Sequence, residues 1–513
     1  MKLMSLCFLL NAVSGANILG LLGLTAYSHH LWNSVLFHEL AQNGHNVTIL
    51  SVDLPKYSQE VPSNVTYIHL EKAYEILRRS STKNDILGTT GLASIVPIYK
   101  WSVDSTKGIL KSKGWKTLME YPDDFKFDLV IFDYTIGNCL LGFVHRFNYP
   151  PLIGVSPFLN NPAVIDLLGN PLFPAYVPHW STSYDVNMTL LQRTHNTIIF
   201  FWDAFYRKYI YNPKIESLAR PHLQKDCPPL TEIEKRTVLA LVNSHPVVTY
   251  AEPLPPNVIE VGGLQANEPK PLPKKLENFI NSSKKGAILF SMGTNVPTAS
   301  FGDQGVADII KAMGELSDYN FLWKFDLEGG SYTFPKNVLI EKFLPQTDIL
   351  SHKKTVAFIS HCGGLSTFEA TRFGVPMIGV PFFVDQFRNL RKAITDGAAV
   401  ELSLKDLNAK NLKAKVLEVV ENPAYRENMR KRSRKFNDQP MKPLERAVWW
   451  VEYVLRNPDS DHLLSPAFNL SFMAAYSLDL FFIMLSGFFV VLLLVQGKWL
   501  KSKCEKCIKL KKN

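Results

Sequence analysis

Residues 355–389 read TVAFISHCGGLSTFEATRFGVPMIGVPFFVDQFRN, and this stretch decides the fold. Residues 356–359 form the short apolar run that is typical of a buried strand in a parallel sheet. A turn with two glycines follows at 361–364. The helical segment after it ends at Gly374, before a second apolar run at 375–380. The stretch therefore predicts a strand, a turn, a helix and a strand in direct succession, which is one unit of a parallel α/β sheet.

The turn between the first strand and the helix has the features of a phosphate site. Ser366 and Glu369, three residues apart, predict a capping box at the start of the helix. A helix N-terminus at the carboxyl end of a parallel strand attracts anions, because its first amide groups lack partners and the helix dipole is positive there. Gly363 and Gly364 would let a diphosphate approach the backbone closely.

The same residues resemble the signature of the membrane-bound UDP-glycosyltransferase family, most closely its insect members. The resemblance rests on the string His361-x-Gly363-Gly364-x-Ser366-Thr367-x-Glu369-Ala370, on Gly374-Val375-Pro376 and on Asp385-Gln386. It implies that a UDP-sugar binds at this turn, with His361 and Ser366 on the diphosphate and Glu369 on the ribose hydroxyls. Asp385 and Gln386 are implied to bind hydroxyls of the donated sugar.

Two other segments extend the resemblance. A loop after the apolar run 287–290 is similar to the family's phosphate-facing loop, and the run 341–346 is similar to its uridine-binding segment. The further nucleotide contacts that these segments imply are Ser291, Gly293, Thr294, Phe343 and Gln346.

The chain departs from the family pattern at two positions. Phe343 stands where the family usually has the Trp that stacks on uracil, and Phe presents a smaller π face. Cys362 stands where the family usually has Gly. Both changes bear on the affinity for uridine rather than on the identity of the nucleotide.

A chain of 513 residues exceeds one typical domain. With the resemblance, we expect an α/β protein of GT-B type, with two facing Rossmann-like domains plus one C-terminal transmembrane helix. The expected segments are a signal peptide at 1–16, an N-terminal acceptor-binding Rossmann-like domain at 17–265, a C-terminal UDP-sugar-binding Rossmann-like domain at 266–445, a return helix and membrane-proximal segment at 446–472, a transmembrane helix at 473–496 and a basic cytosolic tail at 497–513.

Short apolar runs predict the parallel sheet of the first domain, and they lie at 18–22, 47–50, 129–132 and 152–155. Between the first two runs we expect a loop through 28–30 and a helix from about Asn33 to Asn43. The proline-dense segment 253–273 predicts a linker to the second domain. The aromatic-rich region between the fourth run and Asn243 has weak periodicity and is the natural place for a variable pocket.

The positive charge is concentrated at the C-terminus. The formal net charge is +10, and the sixteen residues after Gly497 hold seven lysines and one glutamate. This distribution argues against a nucleic-acid partner, which needs a basic face on the folded part. The positive-inside bias places the tail in the cytosol. Lys509 and Lys511 resemble a retrieval signal for the endoplasmic reticulum, and the alternative is a solvated polybasic tail.

These features predict a single-pass type I protein of the endoplasmic reticulum membrane, with its catalytic body in the lumen. Sequons, which are the acceptor sites of N-glycosylation, are consistent with a lumenal glycoprotein; they lie at Asn46, Asn64, Asn187, Asn281 and Asn469.

The transfer of a sugar needs a base that deprotonates the acceptor, and that base should lie in the first domain, opposite the nucleotide. His29 follows the first strand, and its spacing to Gly44-His45 matches the catalytic His of the family, with His30 as the neighbouring alternative. Asp133 ends a strand of the same sheet and would orient the imidazole. His29 and His30 are improbable as a metal pair, because no third ligand is evident. We expect no metal and no cofactor apart from the UDP-sugar substrate.

The favoured function is an inverting UDP-glycosyltransferase that moves a hexose, with glucose as the favoured sugar, to a hydroxyl of small lipophilic acceptors, as in detoxification. The alternative is a catalytically silent, membrane-tethered protein of the same fold that binds nucleotide sugars or lipophiles. A metal-dependent transferase is disfavoured, because the string Asp459-Ser460-Asp461 lies far from the signature. The sequence leaves the acceptor, the choice between glucose and glucuronic acid, and a possible homo-oligomer open.

Overall fold

The computed structural model describes residues 15–56, 60–80, 85–158, 162–266, 268–327 and 332–510. All but the last two residues of the predicted signal peptide lie outside these ranges, as do the last three residues of the basic tail. Two parallel sheets organise the described residues, one in each half of the chain.

The first sheet has seven strands in the order β3-β2-β1-β4-β5-β6-β7, and all its pairs are parallel. Its strands are β1 Asn17–Leu22, β2 Asn46–Ser51, β3 Val65–His69, β4 Leu129–Asp133, β5 Leu152–Ser156, β6 Thr237–Val242 and β7 Val258–Glu260. The four apolar runs predicted as strands correspond to β1, β2, β4 and β5. Every residue of β4, β5 and β6 is buried, as expected for strands covered on both faces.

The second sheet has six strands in the order β10-β9-β8-β11-β12-β13, again all parallel. Its strands are β8 Gly286–Ser291, β9 Tyr319–Lys324, β10 Val338–Glu341, β11 Thr355–Ser360, β12 Met377–Gly379 and β13 Ala399–Glu401. The predicted strand, turn, helix and strand at 355–389 are confirmed. The helix between β11 and β12 ends at Phe373, and Gly374 caps it at φ 70°.

Helices cover both sheets. In the first half they are Tyr27–Gln42, Ala73–Arg78, Leu92–Ile109, Lys113–Met119, Gly142–Arg146, Pro162–Leu167, Leu190–Tyr206, Asn212–Ala219 and Leu230–Glu234. In the second half they are Lys274–Asn281, Gly302–Glu315, Gln346–Ser351, Gly364–Phe373, Gln386–Thr395, Ala409–Glu421 and Pro423–Asn437. The helices Pro443–Arg456, Phe472–Ala475 and Leu478–Leu510 follow.

The strand order places one crevice in each sheet. In the first sheet the order reverses between β1 and β4, and in the second it reverses between β8 and β11. Ligands of such sheets bind outside the carboxyl ends of the strands at these reversal points, because the connecting helices diverge to opposite faces there. The residues that follow β1, β4, β8 and β11 are therefore the candidates for binding a ligand.

Two local expectations were wrong. The helix after β1 begins at Tyr27 rather than near Asn33, so His29 and His30 lie in its first turn and not in a loop. No side chain caps this helix at Ala26, which explains why the sequence carries no start signal there. The proline-dense segment is not only a linker, because β7 within it pairs with β6 and completes the first sheet.

The chain returns to the first domain after the second sheet. The helix Pro443–Arg456 packs against the helix Tyr27–Gln42, and the apolar cluster that joins them includes Trp32, Leu36 and Val451. The helix starts three residues before residue 446, where the return segment was expected to begin.

One helix among the described residues is long and apolar enough to cross a membrane. It spans Leu478–Lys503, and an 18-residue window within it has a mean hydropathy of 2.7 and is not buried in the protein. The expected span began at residue 473, but residues Phe472–Ala475 form a separate short helix and Ser477 turns the chain at φ 52°. Tyr476 accepts a hydrogen bond from the backbone N–H of Leu172 at 2.9 Å, which ties the start of the long helix to the first domain.

Candidate active site

A cleft of about 920 Å³ joins the two reversal points. Its walls contain residues that follow β1 and β4 on one side and residues that follow β8 and β11 on the other. All the residues predicted for the site except Asp133 line this cleft; they are His29, Ser291, Gly293, Thr294, Phe343, Gln346, His361, Gly363, Gly364, Ser366, Glu369, Asp385 and Gln386. Asp133 lies directly behind His29.

His29 and Asp133 form a pair at the first crevice. Nδ1 of His29 lies 3.4 Å from Oδ2 of Asp133, and Asp133 is almost fully buried. The hydroxyl of Thr135 lies 3.3 Å from the same ring nitrogen. With Nδ1 held on the protein side, Nε2 on the other side of the ring is the nitrogen that can receive a proton from a ligand in the cleft.

The carboxylate of Asp133 is held by two further donors. Asn33 donates its side-chain N–H to Oδ2 at 3.0 Å, and the backbone N–H of Thr135 donates to Oδ1 at 2.9 Å. Asn33 also donates to the carbonyl of His29, four residues earlier on the same helix. The helix start at Tyr27 is what brings Asn33 to this position. The arrangement fixes the carboxylate so that it can orient an imidazole and stabilise the imidazolium.

The imidazole of His361 lies between two glycines in the opposite wall. A methyl group on Gly293 would come within 2.6 Å of its Cε1, and one on Gly363 within 2.4 Å of its Nε2. Burial and the nearby charge of Lys324 lower the pKa of His361 to about 4. His361 is therefore neutral at physiological pH. Its buried Nδ1 has no hydrogen-bond partner among the described residues.

Lys324 is a site residue that the sequence analysis missed. It ends β9, lines the cleft and donates to the carbonyl of Gly293. Burial lowers the pKa of Lys324. The signal in the sequence that could have identified Lys324 was a charged residue at the end of a largely apolar strand. A partly buried ammonium group beside an imidazole with an unpaired nitrogen favours an anionic ligand.

The predicted capping box was wrong. The helix begins at Gly364 with Gly363 in the N-cap position and no side-chain cap, so Ser366 and Glu369 lie inside the helix. Gln346 bridges them instead, since its Nε2 donates to Oγ of Ser366 at 3.1 Å and to Oε2 of Glu369 at 2.6 Å. The uncapped first amides of the helix remain available to a ligand in the cleft.

Glu369 is a buried carboxyl group at the base of the second crevice. Burial raises its pKa from 4.5 to about 7, although hydrogen bonds from Gln346 and Gln265 oppose the shift. Gln346 occupies one of its oxygens. A carboxylate keeps more acceptor sites than one donor fills, so Glu369 can accept hydrogen bonds from a ligand's hydroxyl groups.

Asp385 and Gln386 begin the helix Gln386–Thr395 on the cleft wall. Burial raises the pKa of Asp385 to about 6, while a hydrogen bond from Asn389 and the charge of His29 act in the opposite direction. Asp385 is thus close enough to His29 for their charges to interact across the cleft. Oε1 of Gln386 accepts from the backbone N–H groups of Phe382 and Phe383, which leaves its amide N–H groups for a ligand.

The two departures from the family pattern lie at different depths. Phe343 is 45% exposed on the cleft wall, where its ring can stack on a base. Cys362 is fully buried and holds φ at 60°, a conformation that favours glycine. This backbone geometry explains why glycine suits the position. Ser291 and Thr294 complete the wall, and Oγ of Ser291 accepts from the backbone N–H of Gly293 at 3.3 Å.

Aromatic and aliphatic side chains line part of the cleft beside His29. Phe158 and Trp180 come from the region of weak periodicity that was expected to form a variable pocket, whereas the other wall residues come from elsewhere in the chain. The cleft residues of this apolar wall are Leu24, Ile98, Tyr99, Trp101, Ile136, Phe158, Trp180, Phe383 and Val384. The ring of His29 stacks on Phe158 with 6.5 Å between centroids. An apolar ligand can therefore lie beside the imidazole.

Comparison with known proteins assigns the chain to a family. Residues 21–513 match the family model of UDP-glucoronosyl and UDP-glucosyl transferases. The chain is 33% identical to UDP-glucosyltransferase 2 of Dactylopius coccus, with 98% of each chain covered. It is 31% identical to UDP-glucuronosyltransferase 2B15 of Homo sapiens, with 92% of this chain and 90% of that protein covered. The chain belongs to the UDP-glycosyltransferase family, and it is a sugar-transferring enzyme with a UDP-sugar as donor.

Solved structures show the same architecture. The glycosyltransferase VinC in complex with DTDP matches with a TM-score of 0.56 at 17% identity, covering 86% of this chain and all of that chain. The calicheamicin glycosyltransferase CalG4 matches with a TM-score of 0.55, also at 17% identity, with 86% of this chain and 99% of that chain covered. The fold is therefore GT-B, as predicted.

Proposed function

We propose that the enzyme transfers glucose with inversion from UDP-glucose to a hydroxyl group of small lipophilic acceptors, with His29 as the general base. The observation that carries this proposal is the His29–Asp133 pair opposite the anion site of the second domain. The acceptor oxygen would attack the anomeric carbon while its proton passes to Nε2 of His29. The bond from that carbon to the phosphate oxygen would break, and UDP would leave with the electron pair.

The second crevice supports the departure of UDP. The first amides of the helix Gly364–Phe373, Lys324 and an N–H of His361 can all stabilise the negative charge that develops on the diphosphate. Ser366 and the loop Ser291–Thr294 border the same region of the cleft. We assign the ribose hydroxyls to Glu369, the uracil ring to Phe343 and the sugar hydroxyls to Asp385 and Gln386.

Glucose is proposed as the donated sugar for two reasons. The insect-type signature favours it, and the relative at 33% identity is a UDP-glucosyltransferase by name. Asp385, on the cleft wall near His29, would repel the carboxylate of a glucuronic acid bound beside it. The apolar wall around Phe158 and Trp180 suits phenols and other lipophilic alcohols, as in detoxification.

We further propose that the enzyme is a single-pass protein of the endoplasmic reticulum membrane with a lumenal body. The predicted leader, the apolar helix Leu478–Lys503 and the lysine-rich tail support this arrangement. Protease protection of sealed membranes, with one epitope just after the predicted leader and one at the C-terminal end, would test it. Digestion of the body in intact vesicles would contradict the proposed orientation.

The function is tested by measuring UDP release and glucoside formation with membranes that carry the enzyme. We expect UDP-glucose to give faster turnover than UDP-glucuronic acid with a simple phenol as acceptor. His29→Ala should lower kcat by about 10²- to 10⁴-fold. UDP affinity should stay unchanged, because His29 lies on the opposite wall.

His30→Asn is the matched control. His30 is buried beside His29, but its Nδ1 faces the hydroxyl of Ser51 and not Asp133. The His30 variant should retain most of the turnover if it folds, which thermal unfolding would show. Equal turnover by the wild type and His29→Ala would contradict the assignment of His29 as the base. Wild-type turnover no higher than that of membranes without the enzyme would instead favour the alternative of a silent binding protein.

A further inference from the structure

A buried carboxylate lies at the far side of the apolar wall. Asp203, on the helix Leu190–Tyr206, is 5% exposed and lines the cleft. Its Oδ1 accepts from the hydroxyl of Tyr99 at 2.7 Å, and its Oδ2 lies 3.2 Å from Nε2 of His179. A buried carboxylate in a wall that is otherwise apolar is costly, and the proposed reaction does not use it.

Ring contacts connect Asp203 to the reaction centre. His29 stacks on Phe158, whose ring centroid lies 5.9 Å from that of Trp180. Trp180 in turn lies 4.9 Å from the ring of His179, which contacts Asp203. The wall thus begins at the general base and ends at the carboxylate. His179 is buried behind this wall, and a flat acceptor that packs along the cleft-lining rings of Phe158 and Trp180 meets a polar group at each end.

Asp203 retains the capacity to accept a further hydrogen bond. Burial disfavours its charge, yet the hydrogen bonds from His179 and Tyr99 and the charge of Arg207 lower the pKa of Asp203 overall. Burial lowers the pKa of His179 in turn, so the pair consists of a carboxylate and a neutral imidazole. An ionised carboxylate has about four acceptor positions, and Tyr99 and His179 fill two of them.

We propose that Asp203 is an acceptor-binding residue that selects molecules with a second hydroxyl or amine group, distant from the hydroxyl that receives the sugar. This inference rests on the proposed function, since it concerns the acceptor of the same reaction. The donor group of the acceptor would hydrogen-bond to the carboxylate while the rings pack along Phe158 and Trp180. The preferred acceptors are elongated aromatic or alicyclic molecules that carry a polar hydrogen at both ends.

The test uses matched phenols with the full-length enzyme in membranes. The acceptors are benzene, biphenyl and para-terphenyl, each with a hydroxyl at one end or at both ends. For the acceptor that is long enough to reach from His29 to Asp203, we expect kcat/KM to be about ten- to a hundredfold higher for the bis-hydroxyl compound than for the mono-hydroxyl compound. A hydrogen bond to a charged group accounts for a difference of this size. The ratio is corrected for the two equivalent hydroxyls.

Asp203→Asn should lower this ratio by about tenfold or more, because the amide is a weaker acceptor than the carboxylate. A purely structural role would lower kcat/KM equally for both compounds of a pair and leave the ratio unchanged. Tyr99→Phe keeps the ring and frees one oxygen of Asp203, so its ratio should equal or exceed that of the wild type.

Asp166→Asn is the matched control. Asp166 is half-exposed, pairs with Arg207 at 3.1 Å and does not line the cleft, so this variant perturbs the neighbouring charges without touching an acceptor. Its ratio should match the wild type. The inference is overturned if the wild type shows no preference at any length, or if Asp203→Asn keeps the preference. Lack of turnover with every mono-hydroxyl phenol would instead contradict the proposed function itself.

Discussion

A methyl group on Gly363 would lie 2.4 Å from Nε2 of His361, which is closer than non-bonded atoms approach. The missing side chain therefore makes room for the protein's own imidazole and not only for a ligand. Gly293 also makes room for this ring, because a methyl group there would lie 2.6 Å from its Cε1 and 2.8 Å from its Nε2. The two glycines and the histidine form one packed unit, in which each residue fixes the positions of the others.

Gly363→Ala should weaken UDP binding by about tenfold or more, because the displaced imidazole would lose its hydrogen bond to the diphosphate. Titration calorimetry with UDP measures this effect. Gly364→Ala is the control for folding, since the atom nearest to its added carbon would be 3.6 Å away. Its free energy of unfolding should stay within about 0.5 kcal/mol of the wild type. Unchanged UDP affinity in Gly363→Ala would contradict the assignment of His361 to the diphosphate.

Asp133→Asn should reduce kcat by about 10²- to 10⁴-fold, with UDP affinity unchanged. The amide has a single acceptor oxygen, so it cannot serve Asn33, the backbone of Thr135 and His29 together. Steady-state kinetics with a phenol acceptor measure the effect. Asp128→Asn changes an exposed carboxylate just before the same strand and should leave kcat unchanged. A normal kcat in Asp133→Asn would show that His29 needs no carboxylate.

Glu369→Gln should stabilise the free protein. Because burial raises the pKa of Glu369 to about 7, the folded state binds more protons than the unfolded state between about pH 4.5 and 7. The carboxylate therefore destabilises the fold increasingly as the pH rises through this window. At pH 8 the variant should gain on the order of 1–3 kcal/mol in unfolding free energy, and less at pH 5. Urea denaturation at both pH values measures the difference; an equal gain at both would contradict the pKa.

The same group should make uridine binding depend on pH. If the carboxylate accepts hydrogen bonds from the ribose, the affinity for uridine should fall as the pH drops below about 7, because the ionised fraction of Glu369 falls. The decrease should approach about tenfold per pH unit. Uridine is the better probe because it carries no titrating phosphate. Glu369→Gln should bind uridine weakly and with a flat pH profile between pH 5 and 8. A flat profile in the wild type would remove Glu369 from the ribose site.

Cys362→Gly should be more stable than Cys362→Ala by about 1 kcal/mol, which reverses the usual order of these residues. Both variants lose the buried sulfur, but only glycine adopts φ 60° without strain. Urea denaturation of the two variants compares them directly. If the alanine variant proves equally stable, the backbone at this turn relaxes more readily than its left-handed geometry indicates.

Phe343→Trp should tighten uridine binding by about two- to tenfold, because the indole offers a larger stacking face. Phe343→Leu, which keeps an apolar side chain without a π face, should weaken it by a similar factor. Because uridine carries no diphosphate, calorimetry with uridine measures the effect on stacking without the diphosphate contacts. Equal affinities in all three proteins would place the uracil ring away from residue 343.

The sequence predicted the architecture well because its strands are continuous apolar runs. Buried parallel strands need such runs, and the residues that follow them necessarily meet at the carboxyl edge of the sheet. The place of His29 after a strand predicted its position at this edge, whereas Ser291 and His361 were named through the family resemblance. The long resemblance supplied the roles of the residues, which spacing alone did not provide.

Contacts between distant segments were the part that the sequence could not predict. Ser366 and Glu369 have the spacing of a capping box, but Gln346 from another helix holds both side chains. The helix that carries His29 starts without a capping side chain, so its first turn had no local signal. Asp203 and His179 lie in a region without clear periodicity, and only the folded chain brings them together.

The hydrogen bond between Leu172 and Tyr476 attaches the entry to the apolar helix to the acceptor half. The return helix packs on the same half, while direct contacts also join the two halves, such as the hydrogen bond from Arg391 to the carbonyl of Ser183. In the proposed membrane arrangement, the acceptor half is therefore the half that the apolar helix holds next to the lipid surface.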